Sequence, residues 1–414
     1  MPTTTPASHL PCGSTSPGSS FSLFCCSPCV VVDNARHARI LPMHVRGLFS
    51  LWALLLCAGW AIADYGDKDP YELQSAIEVL EHSGAEVHRN GQVQIDIVVP
   101  GLGQADQVTT ARLPSTYTLN VMGMESSPEN LDAMLVLPEV DSLYLGPEFE
   151  RTETAWNTLN KFGELKNLYI VDKLTNADLP QVAQFQELNL LAIRLGNFSP
   201  DNLWYLEAMH GLETLSLSVD QPLPPNYLNS MPAIPNLKHL ELAFLADQKV
   251  SLAGIERLNS VTSIELDAQE HPVGNLSTIG QLSNLERLNL SSVQFDASDM
   301  QMFGELSQLQ HLALFHCDLP ASGEQHFARM RNLRRIDLNQ VALTDAMLVQ
   351  LAKLPQLTQL YVRGAPLTDE ALPAIAASPS LKTIRLSGTK ITPEGAKWLR
   401  EQRPELNFVL TQGL

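Results

Sequence analysis

The sequence predicts an α/β solenoid curved into a horseshoe or arc, with a parallel sheet on the concave face and helices and irregular segments on the convex face. Three observations predict it. From residue 93 onward one short apolar pattern returns about every 24 residues. Within each copy the apolar residues alternate with polar ones, the period-2 signature of a strand with one buried face. Between copies, at least in the C-terminal half, the chain carries helix start signals followed by apolar residues at helical spacing.

The elements follow in chain order. Residues 1–42 are rich in Ser, Thr and Pro and have no amphipathic or basic pattern; they read as a disordered leader, or as residues ahead of a true start at Met43. Residues 43–63 have the layout of a signal peptide: His44 and Arg46, an apolar run over 48–60, then the small-residue site Ala61-Ile-Ala63. The run is too short for a mature membrane span, so the expectation is export with cleavage before Asp64 and no stable span afterwards. Five of the six cysteines precede that point and only Cys317 follows it, which leaves no internal disulfide in the processed chain. Residues 64–92 read as an N-terminal helical cap. Asp69-Pro70 opens a helix with one apolar face (Leu73, Ala76, Ile77, Leu80), and Gly84 closes it.

Residues 93–414 hold the repeats, about 13 copies of about 24 residues. The clearest are Leu285-Glu-Arg-Leu288-Asn-Leu290, Leu309-Gln-His-Leu312-Ala-Leu314, Leu333-Arg-Arg-Ile336-Asp-Leu338, Leu357-Thr-Gln-Leu360-Tyr-Val362 and Leu381-Lys-Thr-Ile384-Arg-Leu386. The same register runs back through Ile264, Leu240, Leu215, Leu191, Leu168, Leu143 and Leu119 to Ile95. One such strand cannot bury its leucines alone, so neighbouring copies must stack in sequence order and share a core. Thr344, Thr368 and Thr392 are expected to cap return helices, whereas the prolines at 222, 224, 225, 232 and 235 forbid a long helix in the middle of the array. Leu406-Asn-Phe408-Val409-Leu410 has strand character and supplies the last rung.

A period of 20–29 residues with L-x-x-L-x-L is the leucine-rich repeat signature. The chain resembles leucine-rich repeat proteins of the helix-backed, ribonuclease-inhibitor-like type, and most of all exported bacterial members, over residues 90–414. It departs from that pattern after the strand, where Val293, Cys317, Val341, Ala365 and Thr389 largely replace the usual Asn or Cys. Small packed side chains are therefore expected there instead of an Asn ladder.

The charge excludes one class of partner. The chain carries −18 overall; the part beyond residue 63 has 24 basic and 44 acidic residues, which argues against nucleic acid or an anionic membrane. No G-x-S-x-G, H-E-x-x-H or phosphate-loop motif is present, and Gly101-Leu-Gly103 lacks the rest of a dinucleotide loop. His311, His316 and Asp337 fall close enough for a metal or proton-transfer site, but three polar residues on one face are commonly just a polar face. No enzyme, no cofactor and no metal is therefore expected. The leading expectation is an exported, monomeric, non-enzymatic scaffold whose concave face binds a protein or peptide. The alternatives are a cell-envelope glycan-binding module, with Tyr144, Tyr169 and Tyr361 as scattered candidate platforms, and an intracellular F-box-like repeat adaptor. The concave positions of the C-terminal half are Arg287, Asn289, His311, Phe315, Arg335, Asp337, Asn339, Tyr361, Arg363 and Arg385. That column is basic and aromatic, as interface hot spots tend to be, and suits an acidic partner. Earlier rungs offer Glu241, Glu265 and Asp267, so the face runs from acidic to basic.

Overall fold

The computed structural model describes Ile77, Glu78 and Glu81, the segments 85–89 and 93–97, and residues 117–411 apart from 136, 138, 139, 197, 225, 226, 246–249, 321 and 322. The leader, the signal segment and most of the cap lie outside the described residues.

Fifteen strands form one sheet in sequence order. The first pair is antiparallel: β1 (Ala85–Arg89) against β2 (Val93–Ile97). Residues 85–89 fall inside the expected cap of 64–92, after the helix that Gly84 closes. These residues form a strand that covers the first repeat's edge, while Ile77, in a helical turn before it, is buried. From β2 onward every neighbour is parallel: β3 (Tyr117–Val121), β4 (Val140–Leu145), β5 (Asn167–Leu174), β6 (Leu190–Leu195), β7 (Thr214–Val219) and β8 (His239–Phe244). The short strands β9 (Val250–Ser251) and β11 (Val273–Gly274) lie in return segments and pair with each other. The main sheet continues through β10 (Ser263–Asp267), β12 (Arg287–Ser291), β13 (His311–Phe315), β14 (Arg335–Asn339), β15 (Gln359–Arg363), β16 (Thr383–Ser387) and β17 (Asn407–Thr411). The last is the terminal rung expected at 406–410.

The two leucine positions of each copy form the core. Leu119, Leu143, Leu168, Leu191, Leu215, Leu288, Ile336, Leu360 and Ile384 are fully buried, and one hydrophobic cluster runs from Ile77 to Phe408. Helices take about twice the lateral room of strands, so the sheet occupies the inside of the curve.

The returns are helical where the sequence supplies caps. Thr344, Thr368 and Thr392 each accept a bond from a backbone N–H in the following turn. The acidic residue after the Thr does more than favour a helix start. Asp345 accepts from the Thr368 N–H at 2.9 Å and hydroxyl at 2.7 Å, and Asp369 holds Thr392 at 2.8 and 2.6 Å. Each Thr-Asp pair thus clamps the next repeat. In the middle of the array the returns are 3₁₀ segments, Pro200–Ala208, Tyr227–Ser230, Ile255–Arg257 and Leu276–Gln281. Before residue 200 short α-helices persist at Glu153–Leu159 and Leu179–Val182, because Thr152 and a proline at 180 supply start signals there.

The turn after each strand explains the departure from the usual motif. Ser292, His316, Gln340, Gly364 and Gly388 all have positive φ, one per repeat, and reverse the chain so that the next side chain points inward. Val293, Cys317, Val341 and Ala365 are accordingly buried. Burial pushes the Cys317 thiol up to about 11 and leaves it an inert packing residue. Ahead of the strand, on every second repeat, Asn236, Asn284 and Asn332 donate to carbonyls of the preceding repeat at 2.7–2.8 Å.

Candidate functional site

Alternate strand residues face the concave side, and the parallel register stacks them into columns. The central column reads Tyr144, Tyr169, Ala192, Ser216, Glu241, Glu265, Asn289, Ala313, Asp337, Tyr361 and Arg385. Beside it, Arg287, His311 and Arg335 align with one another, and at the strand ends Phe315, Asn339 and Arg363 do the same. All ten residues named from the sequence therefore lie on five consecutive strands, β12 to β16.

Five of them touch. Asp337, half-buried, accepts from His311 Nε2 at 2.8 Å and from both Arg335 Nε at 2.7 Å and Nη2 at 3.1 Å. Burial works against its negative charge, but the bonds from His311 and Arg335 outweigh it and hold the carboxyl below its ordinary range. Arg335 also lies over the Tyr361 ring at 4.9 Å, and Arg385 approaches the same ring at 5.6 Å. Arg287, Arg363 and Arg385 are exposed and make no salt bridge among the described residues. Asn289 supports Glu265 on the neighbouring strand, and its carbonyl oxygen is buried with no partner among the described residues. His316 sits exposed in a left-handed turn, and no metal-holding cluster of His, Cys, Asp and Glu occurs among the described residues. Nor is any helix among them long and apolar enough to cross a membrane.

The second concave feature was not foreseen. Tyr144 and Tyr169, taken from the sequence as scattered, stand on adjacent rungs and stack with centroids 4.0 Å apart and planes 2° from parallel. The next two rungs carry only Ala192 and Ser216 in the central column, and the two after that carry Glu241 and Glu265. The missing side-chain volume leaves a cavity of about 320 Å³ floored by Ala192 and Ser216, with tyrosines at one end and glutamates at the other. Burial, and then repulsion from Glu265, push Glu241 up to about 7; the Ser216 hydroxyl offsets part of this. Glu265 is raised too, again by burial of its carboxyl first, although the residue as a whole is exposed. Burial and then the nearby Arg287 lower His239 at the rim. Arg194 on the cavity wall is already engaged by Asp220, which Lys173 also contacts at 3.0 Å. Reading the central column from repeat to repeat shows this gap in the sequence; reading motifs along the chain does not.

The family comparison agrees with this geometry. Residues 377–399 match a family model described as a leucine-rich repeat. That stretch is a leucine-rich repeat, and the fold around it is a leucine-rich repeat solenoid. Its regular strands, left-handed turns and mixture of α and 3₁₀ returns are those of such a solenoid. Two internalins are among the solved structures that resemble it. One is an internalin, inlF, from Listeria monocytogenes, with 14% identity and a TM-score of 0.47, covering 76% of this chain and 94% of that one. The other is internalin C2 of the same organism, with 18% identity and a TM-score of 0.34, covering 51% of this chain and 84% of that one. No curated protein matches the sequence.

Proposed function

We propose that the protein is a non-enzymatic, exported recognition scaffold that binds a protein or peptide of acidic character on its concave face between Arg287 and Arg385. One observation carries this reading. Within a strongly acidic chain, Arg287 on β12, Arg363 on β15 and Arg385 on β16 project from one sheet without carboxylate partners among the described residues, and Arg385 lies 5.6 Å from the centre of the Tyr361 ring. A rigid platform of arginines about an aromatic anchor meets a carboxylate-bearing surface with little ordering cost. The protein acts as a monomer, needs no cofactor or metal, and keeps no membrane span once the segment before Asp64 is removed. N-terminal sequencing of the secreted or envelope-bound protein checks the last point: a start near Asp64 is expected, and an intact Met1 in the cytosol refutes it.

The binding site is tested by affinity capture with the full chain against an extract of its own cells and surroundings. Each captured partner is then titrated against the Arg335→Ala, Tyr361→Ala double variant. The variant should lose about tenfold or more in affinity while melting with the wild type. Unchanged affinity moves the site off this face.

A further inference from the structure

The C-terminal half of the concave face shows how this sheet holds a guanidinium. Arg335 pairs with the Asp337 carboxylate and lies on the Tyr361 ring, with ring and carboxylate side by side in the central column. The N-terminal half also presents a ring and a carboxylate in this column, but Tyr169 and Glu241 stand three rungs apart, with only Ala192 and Ser216 between them. Tyr169 is backed on one side by the Tyr144 stack, and its column neighbour on the other side is only Ala192. Glu241 faces Tyr169 across the cavity, leans on Ser216, and stands directly opposite Glu265 on the next strand. Two carboxylates in cross-strand register repel one another, and neither has a salt-bridge partner among the described residues. The arginine on the cavity wall cannot serve, because Asp220 already holds it.

The dimensions fit. Neighbouring rungs are about 4.8 Å apart, so Tyr169 and Glu241 stand about 14 Å apart along the column. A planar group stacked on Tyr169 above Ala192 fills the first few ångströms. The Glu241 carboxyl, leaning back over Ser216, closes the rest. A guanidinium is the side-chain group that both packs against a ring and pairs with carboxylates, and the arginine stem supplies length to span the gap.

We propose that this cavity is a binding subsite for an arginine side chain of a peptide or protein partner, stacked on Tyr169 and paired with Glu241 and Glu265. It builds on the reading of the concave face as a peptide-binding surface, but uses different rungs from those assigned to an acidic segment. A partner engaging both would carry an arginine about as many rungs from its acidic stretch as Tyr169 lies from Arg287.

The test uses the full chain and a fluorescein-labelled glycine-serine octapeptide with one central arginine, read by anisotropy. Saturable binding is expected, with a loss of about tenfold when citrulline, the neutral isostere, replaces the arginine. Ala192→Leu, which fills the cavity from the solvent-facing side of the sheet and keeps every charge, should cost as much. So should the Glu241→Gln, Glu265→Gln double variant. Arg335→Ala should leave this binding unchanged, which separates failure of this subsite from failure of the acidic-partner site. Equal binding of the citrulline peptide, no effect of Ala192→Leu, absence of saturable binding at millimolar peptide, or binding of a methyl pyranoside in the cavity in place of the peptide would each overturn the proposal.

Discussion

Replacing Glu241 by Gln should make the protein more stable at alkaline pH and leave it nearly unchanged in acid. In the folded chain this carboxyl keeps its proton to about 7, whereas the unfolded chain releases it near 4.5. Between those values the folded state binds more protons, so stability falls as pH rises. The favourable contribution is complete below about 4.5 and gone once pH has passed about 7. The interval corresponds to at most about 3 kcal/mol, and solvent at the cavity mouth reduces it to about 1–2 kcal/mol. Gln has the same shape, still accepts from Ser216 and carries no charge at any pH. Urea denaturation of both proteins at pH 4.5, 7 and 8.5 and fixed ionic strength isolates the effect, since every other titrating group is common to the pair. The variant's midpoint should exceed the wild type's at pH 8.5 and converge with it at pH 4.5. Because Glu265 contributes to the shift, Glu265→Gln should gain less in the variant background than alone. A midpoint difference that does not change with pH would refute the placement of the two carboxylates in one partly dehydrated cavity.

The fold was legible because it is written many times over. Each copy states the same alternation, so errors in one repeat are corrected by its neighbours, and the register read from Leu288 to Ile384 is the pairing register of the sheet. The turn device was legible only in part. A buried Val293 or Cys317 is visible as an apolar position, but the positive φ of Ser292, His316 and Gln340 is not, since those residue types do not advertise it. The clamp of Thr392 by Asp369 was also hidden, because its two halves are 23 residues apart and each has a sufficient local explanation as a helix start. Of the candidate site, the column positions followed from alternation alone. The pairing of Asp337 with both His311 and Arg335 depends on which rotamers meet across strands, and no pattern fixes that. The cavity escaped because what makes it is the smallness of Ala192 and Ser216, and small residues on a strand attract no attention until they are set between Tyr169 and Glu241.

Three further outcomes follow from the packing and the charges. Leu360→Ala removes a fully buried side chain from β15 and should cost about 2–5 kcal/mol in denaturant melts; a wild-type midpoint would mean that the register is wrong. Asp369→Ala breaks both bonds to Thr392 and should speed amide exchange in Pro393–Gln402 without touching the central rungs; uniform exchange rates would deny the clamp. The last concerns Asp337, whose carboxyl lies below its ordinary range because its bonds to His311 and Arg335 outweigh burial. A depressed carboxyl contributes stability that is present above its unfolded value of about 3.9 and is lost as pH falls through the lower folded value. Asp337→Asn removes the charge but keeps the shape, so at pH 7 it should be less stable by about 1 kcal/mol, a modest figure because both cationic partners are partly exposed. Once pH has fallen through that lower folded value the two proteins should converge, since the wild type has then surrendered the same charge. The Arg335 guanidinium, no longer held by a carboxylate, should at the same time stack less firmly on Tyr361, and tyrosine fluorescence of the variant compared with Tyr361→Phe reports this. If Asp337→Asn falls off in acid as steeply as the wild type, the carboxylate does not organise the arginine and aromatic cluster, and the charge that shapes this face must be sought on another residue.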